Sequence, residues 1–158
     1  MSSDSILKLE EMVRILEPKS IVEKIKLYTL SGRNFYLDLL EFEDVPESLN
    51  AGVQLLGNQA ANQTTILDEL LPELLIEKGF RIFDFGKGLA QASLSPETIW
   101  NILPEELQAI SETERNHQLL QGFLNGLFES NQQLCEDYLN DALTNKTLSK
   151  VFPLLQLV

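Results

Sequence analysis

The chain contains a single cysteine, Cys135, and a single histidine, His117, so a thiol and imidazole pair is the first chemistry that its residues could support. In such a pair the imidazole deprotonates the thiol, and a third side chain orients the ring. The two residues fall on successive predicted helices, but no residue is placed to supply the orienting group. The pattern favours a buried, structural cysteine and a half-exposed histidine near a helix start.

The other motifs that could carry chemistry are incomplete. The segment Gly86-Lys87-Gly88 lacks the spacing of a phosphate-binding loop and follows no predicted strand. One histidine, one cysteine and scattered carboxylates do not have the spacing of a zinc or calcium site. Adjacent glutamates such as Glu105 and Glu106 point in different directions on a helix, which is typical of a solvated face. We therefore expect no catalytic, cofactor-binding or metal site and no enzymatic activity.

The chain is 158 residues long and strongly acidic, with 12 Lys and Arg against 24 Asp and Glu and a formal net charge of −12. This length is sufficient for one domain that buries its own core. Residues 1–33 hold six Lys or Arg and five Asp or Glu, so the acidity lies in the rest of the chain. Because negative charge repels phosphate backbones and anionic membrane surfaces, we expect protein partners and no direct contact with nucleic acid or membrane.

The sequence also carries signals about location. The first residues, Met-Ser-Ser-Asp-Ser, lack the basic and apolar regions of a secretory signal, and a lone cysteine cannot form an internal disulfide. The apolar runs are only a few residues long, far below the roughly 20 residues needed to span a bilayer. We expect a cytoplasmic chain without a transmembrane helix.

Apolar residues recur at helical spacing along almost the whole chain, which predicts an all-α fold. Prolines, capping residues and glycines divide the pattern into about seven to nine helices, which we expect to stack as antiparallel pairs in a HEAT- or TPR-like α-solenoid segment. Residues 1–158 are expected to form a single helical domain. The predicted helices cover about 5–16, 20–30, 47–63, 64–78, 80–92, 96–110, 111–128, 131–143 and 148–156. The N-caps predicted for four of these helices are Ser20, Thr64 or Thr65, Ser111 or Thr113, and Asn131.

Residues 34–47 depart from the helical pattern and are predicted to form an acidic connector between the first helix pair and the rest. Aromatic and apolar residues stand among the carboxylates there, as they do in peptides that a basic partner recognises. The connector is therefore a candidate partner-binding segment, and an ordinary solvated loop is the alternative. Its candidate contact residues are Tyr36, Asp38, Glu41, Glu43 and Asp44.

Small residues mark a weak internal repeat at an offset of 36 residues, in which Gly86 matches Gly122 and Ala90 matches Gly126. Small residues four apart open a groove on a helix. We expect the partner helix of each pair to lay its leucines into that groove. Trp100, the only tryptophan, is flanked by apolar residues and is expected to pack at a seam between helices.

Five segments are more distinctive, namely Lys24–Arg33, Phe85–Ala90, Glu114–Asn116, Gly122–Leu127 and Phe152–Gln156. In this order they resemble a helical-repeat region of very large bacterial proteins, the STAND-type P-loop NTPases, some of which act in anti-phage defence. The resemblance covers about residues 9–156 and consists of packing and turn residues. It implies stacked helix pairs that form a sensor arm, which grips a foreign protein or holds the NTPase inactive.

Two functional hypotheses result. In the first, the chain is a non-enzymatic helical-repeat interaction module, the sensor or scaffold part of a larger bacterial defence protein of the NTPase type. An open end of such a stack exposes apolar residues, so Leu154 and Leu155 are candidate contacts for a partner or for self-association. In the second, the chain is a free-standing acidic binder or inhibitor that mimics nucleic acid toward a basic protein. This alternative requires the carboxylates to gather on one face.

Overall fold

A computed structural model describes residues 3–30, 49–79 and 81–156 of the chain. Every regular element in these ranges is a helix, which confirms the all-α class and the expected number of helices. The nine α-helices of the described ranges are α1 Ser3–Leu16, α2 Ile21–Leu30, α3 Leu49–Ala60, α4 Thr64–Leu74, α5 Ile82–Ala92, α6 Pro96–Gln108, α7 Gln118–Ser130, α8 Gln132–Thr144 and α9 Phe152–Leu155, and a 3₁₀ turn covers Ser149–Val151.

Two helix starts are capped by the side chains that the sequence indicates. The Ser20 hydroxyl and the Asn131 amide oxygen each accept a hydrogen bond from the backbone N–H three residues on, at 3.1 and 3.2 Å. α4 differs, because Gln63 stands at its N-cap in place of Thr64 or Thr65 and makes no side-chain capping bond. Local capping chemistry therefore accounts for the starts of α2 and α8 but not for that of α4.

α7 begins at Gln118 and not near Ser111 or Thr113, where capping chemistry predicts its start. The preceding Asn116 donates its backbone N–H to the Leu75 carbonyl at 2.7 Å, and its side-chain oxygen accepts from the Gln118 N–H at 2.9 Å. The first bond ties the segment before α7 to the end of α4, where helical carbonyls lack intrahelical partners, and the Asn116 side-chain nitrogen also donates to the Glu77 carbonyl just beyond α4. The second bond is local to the start of α7. The tertiary bonds outweigh the local tendency to start a helix earlier.

The first helices of successive pairs, α3, α5 and α7, lie side by side and touch through glycines. A Cβ atom added to Gly88 on α5 would lie 2.0 Å from the Gln54 carbonyl oxygen of α3. One added to Gly86 would lie 2.3 Å from the Leu119 carbonyl oxygen of α7. Since real Cβ atoms do not approach an oxygen this closely, the three helices contact one another backbone to backbone, with α5 in the middle.

This packing differs from the predicted one. Gly86 and Ala90 on α5 meet Gly122 and Gly126 on α7, so the two stripes of small residues face each other and do not receive leucines from the second helices. A Cβ on Gly126 would lie 2.8 Å from the Cβ of Ala90. Two facing stripes without bulky side chains allow a closer approach than a stripe packed against leucines, which increases the backbone contact between the helices.

The second helices, α4, α6 and α8, form a second layer in the same order, in which α6 contacts both neighbours. α5 and α7 begin 36 residues apart, as do α6 and α8. α4 and α6 begin 32 residues apart and carry an internal proline at the same place, Pro72 and Pro104. The helix pairs therefore recur along the chain, while the HEAT- or TPR-like form of their stacking stays a prediction.

The C-terminal residues cover one side of α7 and α8. Leu148 and Leu155 are fully buried, and α9 contacts both helices. The expectation that Leu155 is an exposed partner contact is wrong, because α9 folds back and places this side chain in the core. The neighbouring Leu154 is 46% exposed, and its carbonyl accepts a bond from the Gln121 side chain at 3.0 Å.

Candidate functional site: the second-helix face

Charge is distributed unequally between the two layers of helices. α3 has no charged residue, α5 has Asp84 and Lys87, and α7 has Glu129 alone. Each second helix carries three carboxylates and no Lys or Arg. We call these nine carboxylates, with the exposed residues between them, the second-helix face. The nine are Asp68, Glu69, Glu73, Glu97, Glu105, Glu106, Glu136, Asp137 and Asp141.

Local cations neutralise little of this face. Within the described residues, Glu73 is the one carboxylate of the nine that forms an ion pair, with Lys26 of α2 at 2.9 Å. A surface with one sign of charge and few counter-charges produces a potential that attracts partners of the opposite sign. The second-helix face can therefore attract a basic macromolecule and repel an acidic one.

α6 and α8 are joined by an aromatic stack beneath the acidic surface. The Trp100 ring lies 4.8 Å from the Tyr138 ring with an angle of 5° between their planes, and Trp100 is only 3% exposed. The indole Nε1–H donates to Asp141 Oδ2 at 2.8 Å. Trp100 thus lies at a helix seam, and its N–H holds one carboxylate of the second-helix face in a fixed orientation.

The environment of Tyr138 shows how acidic this seam is. Burial raises the pKa of the phenol, and the negative charges of Glu97 and Asp141 raise that pKa further. Both effects disfavour the phenolate, so Tyr138 stays protonated at neutral pH. Its role at the seam is that of a neutral aromatic ring.

A cavity of about 540 Å³ opens beside the stack, between α6 and the C-terminal end of α8. Its walls include Asn101, Pro104 and Glu105 from α6 and Asp141, Asn145 and Lys146 from α8 and the following turn. This volume lies within the roughly 300–1,000 Å³ of small-ligand sites. The lining provides two carboxylates, side-chain amides and an apolar ring, which together can hold a cationic group by hydrogen bonds and charge.

The turn after α8 fixes the position of Lys146 at this cavity. The side-chain oxygen of Asn145 accepts bonds from the N–H groups of Thr147 at 2.9 Å and Leu148 at 3.1 Å. Leu148 is itself fully buried, so the turn is anchored on both sides of the lysine. The backbone of Lys146 is therefore held in place, and its side chain is exposed.

The structure places Cys135 in a setting unlike that of a nucleophile. The thiol is buried and donates to the Leu124 carbonyl at 3.3 Å. Burial raises its pKa, and the charge of Glu136 raises that pKa further, whereas reactive thiols have lowered values. The pKa of His117 is lowered by burial and by the nearby charge of Arg115.

The remaining predicted partner contacts are not part of the second-helix face as the structure describes it. Residues 31–48 lie outside the described part of the chain, so the candidates Tyr36, Asp38, Glu41, Glu43 and Asp44 lie outside it as well. Leu154 is exposed near the N-terminal half of α7 and is not part of the second-helix face. The structure therefore does not bring the terminal leucines and the acidic face together in one site.

No group of three or more His, Cys, Asp or Glu in the described ranges could hold a metal ion. No helix among these residues is both long and apolar enough to cross a membrane.

Sequence reasoning missed the main components of the second-helix face. The sequence predicts separate solvated carboxylates, because their common layer depends on how the helices pack. One usable signal was present, namely that the predicted segments 64–78, 96–110 and 131–143 each hold at least three carboxylates, whereas the segments between them hold one or two. Tyr138 and Asp141 carried no local signal as partners of Trp100, since they lie 38 and 41 residues away in the chain.

Comparison of the chain with protein-family models, with curated proteins and with solved structures gives no match in any of the three.

Proposed function

We propose that this chain is a non-enzymatic helical-repeat module that binds another protein through the second-helix face. The observation that carries the proposal is the segregation of charge, with nine carboxylates and no Lys or Arg on α4, α6 and α8. The glycine contacts between α3, α5 and α7 support it, because a stack locked backbone to backbone holds the outer layer in a fixed shape. A preorganised charged surface gives fast and selective association with a basic partner.

The resemblance to sensor regions of STAND-type NTPases provides the setting for this module. In that setting the chain is the sensor or scaffold part of a larger bacterial defence protein in the cytoplasm, and its helix pairs stack in a HEAT- or TPR-like solenoid. The partner is a protein ligand or a neighbouring domain of the same polypeptide. The recurring helix intervals of 36 and 32 residues are consistent with this repeat architecture.

A second candidate function is a free-standing acidic inhibitor that mimics nucleic acid. It is favoured by the same charge segregation, because such a mimic needs its carboxylates on one face. The size of the native polypeptide separates the two candidates. An immunoblot band far larger than 17.9 kDa supports the module of a larger protein, and a band of 17.9 kDa supports the free-standing binder.

The proposal is tested with two variants of equal net charge. One variant neutralises part of the second-helix face, and the other neutralises the same number of carboxylates elsewhere. In the face variant four exposed acidic residues of α4 and α8 become amides, and in the control variant four exposed acidic residues elsewhere do so. The face substitutions are Asp68→Asn, Glu69→Gln, Glu136→Gln and Asp137→Asn. The control substitutions are Glu10→Gln, Glu11→Gln, Glu17→Gln and Glu114→Gln.

The measurement is the fluorescence anisotropy of a labelled basic peptide, three repeats of Gly-Arg-Gly-Lys, titrated with each variant at several salt concentrations. We expect the face variant to bind much more weakly than the control variant, and we expect added salt to weaken the binding of the native chain. Equal binding by the two variants would show that net charge alone acts, and it would refute the proposal.

A further inference from the structure

We propose that the cavity between α6 and α8 receives an arginine side chain of the partner protein. This inference rests on the proposed function, because it names the group that anchors a basic partner on the second-helix face. The cavity is the part of that face where carboxylates line a concave surface, with Glu105 on one wall and Asp141 on the other. Its volume of about 540 Å³ accommodates a long side chain together with part of its backbone.

The two carboxylates are available for a cation. Neither Glu105 nor Asp141 takes part in the ion pairs of the described residues. Asp141 is oriented in advance, because its Oδ2 accepts the Trp100 indole N–H at 2.8 Å and leaves Oδ1 for a second donor. A group held by its neighbours loses little conformational entropy on binding, which favours association.

The remaining lining indicates a guanidinium rather than an ammonium group. A guanidinium presents five N–H donors in a plane, so it can donate to more than one of the carboxylate and amide oxygens that line the cavity. The ring of Pro104 offers an apolar surface for the methylene stem of the arginine. An ammonium group is compact and strongly hydrated, and it matches fewer of these acceptors.

Lys146 provides an internal control on this interpretation. It is a cation in the cavity wall, and it forms no ion pair with any residue that the structure describes. Its positive charge opposes the entry of an arginine. Removing that charge should therefore strengthen binding, while removing the charge of Glu105 should weaken it. A cavity that binds an uncharged group would not give these opposite signs.

The test uses the indole N–H signal of Trp100 in ¹H–¹⁵N NMR spectra, because the chain has a single tryptophan and it lines the cavity. The chain is titrated with acetyl-Gly-Arg-Gly amide and with acetyl-Gly-Lys-Gly amide at one ionic strength. We expect a saturable shift with the arginine peptide and a weaker affinity for the lysine peptide. Equal affinities for the two peptides would overturn the assignment to arginine.

Variants locate the binding. We expect Glu105→Gln and Asp141→Asn each to lower the affinity for the arginine peptide about two- to fivefold. We expect Lys146→Gln to raise that affinity by a similar factor. The matched control is Glu10→Gln, which removes the same charge on α1, outside both the cavity and the second-helix face, and should leave the affinity unchanged. Circular dichroism of each variant checks that the fold is intact. An equal loss in the control would overturn the proposal.

The same experiment separates this inference from the proposed function. If the Gly-Arg-Gly-Lys peptide binds in a way that depends on the second-helix face while the Trp100 signal stays constant, the cavity proposal is refuted and the proposed function stands. If that peptide does not bind, both proposals are refuted. A shift of the Trp100 signal that saturates and responds to Glu105→Gln and Lys146→Gln with opposite signs supports both.

Discussion

Gly122 lies against the carbonyl of Phe83 so closely that a Cβ atom on the glycine would be 1.9 Å from that oxygen. On the other side of α5, a Cβ atom on Gly88 would lie 2.0 Å from the carbonyl oxygen of Gln54 on α3. α5 is therefore in backbone contact with a helix on either side. The spacing of the first layer, and with it the position of every second helix, depends on positions without a side chain.

This contact gives the first prediction, that Gly122→Ala strongly destabilises the fold. Alanine is the better helix former by about 1 kcal/mol, but its methyl group can fit only if α5 and α7 move apart. We expect a net loss of about 2–3 kcal/mol in the free energy of unfolding, measured by urea denaturation. The control is Asn140→Ala on the exposed side of α8, where the change should be near zero or favourable. A neutral Gly122→Ala variant would contradict the helix contact described above.

The second prediction concerns Asn62, which ties together the turns of neighbouring helix pairs. Its side-chain nitrogen donates to the Ala92 carbonyl and its oxygen accepts from the Leu94 N–H, both at 2.9 Å. Replacing Asn62 by Ala removes both bonds and should cost about 1–2 kcal/mol of unfolding free energy. Asn62→Asp keeps only the bond from Leu94, so we expect an intermediate loss.

Hydrogen exchange gives an independent measure of the same interaction. In Asn62→Ala the Leu94 amide should exchange with deuterium much faster than in the native chain, whereas in Asn62→Asp it should remain protected. The control is Thr65→Ala, an exposed position in the first turn of α4, which should change neither quantity appreciably. Unaltered exchange at Leu94 in the alanine variant would show that the bond does not hold the turn.

Local sequence patterns indicate the interactions within each helix but not the bonds between distant segments. The spacing of apolar residues predicted nearly every described helix, because that spacing follows from the 3.6-residue turn itself. Capping chemistry correctly predicted Ser20 and Asn131 as the N-caps of α2 and α8. It failed before α7, because Asn116 bonds to the end of α4, and no local pattern reveals a partner about 40 residues away.

The candidate site was harder to predict than the fold for the same reason. Gly86 and Gly122 were recognised as close-packing residues, but the helices that they join depend on the order of the stack. Trp100 was expected at a seam, whereas its bond to Asp141 exists only because α6 and α8 are adjacent. Leu155 was assigned to an exposed end, since the sequence gives no indication that α9 folds back onto the core.

The third prediction is that Cys135 reacts slowly with thiol reagents in the folded chain. The thiol is 1% exposed, and burial together with the charge of Glu136 raises its pKa, so little thiolate is present or accessible at neutral pH. We expect its reaction with Ellman's reagent to be at least about a hundredfold slower in buffer than in concentrated urea, because reaction requires opening of the structure. In a Cys135→Ala background, Ser149→Cys provides an exposed thiol for comparison and should react at once. Rapid reaction of native Cys135 would contradict its burial between α7 and α8.

The fourth prediction is that His117 makes the folded chain less stable as the pH falls below about 6.5. Burial and the positive charge of Arg115 lower the pKa of this histidine in the folded chain below the ordinary imidazole value of about 6.5. The neutral imidazole is therefore favoured on folding, and the unfolded chain takes up a proton first as the pH decreases through 6.5. Well above that pH neither state is protonated at His117, and the residue contributes no pH dependence. Urea denaturation of the native chain and of His117→Gln from pH 7.5 to 5.5 tests this, since carboxylate titrations are common to both proteins and cancel in the difference. The native chain should lose stability relative to the variant on acidification, and a relative gain would require an acidic neighbour of His117 that raises its pKa instead.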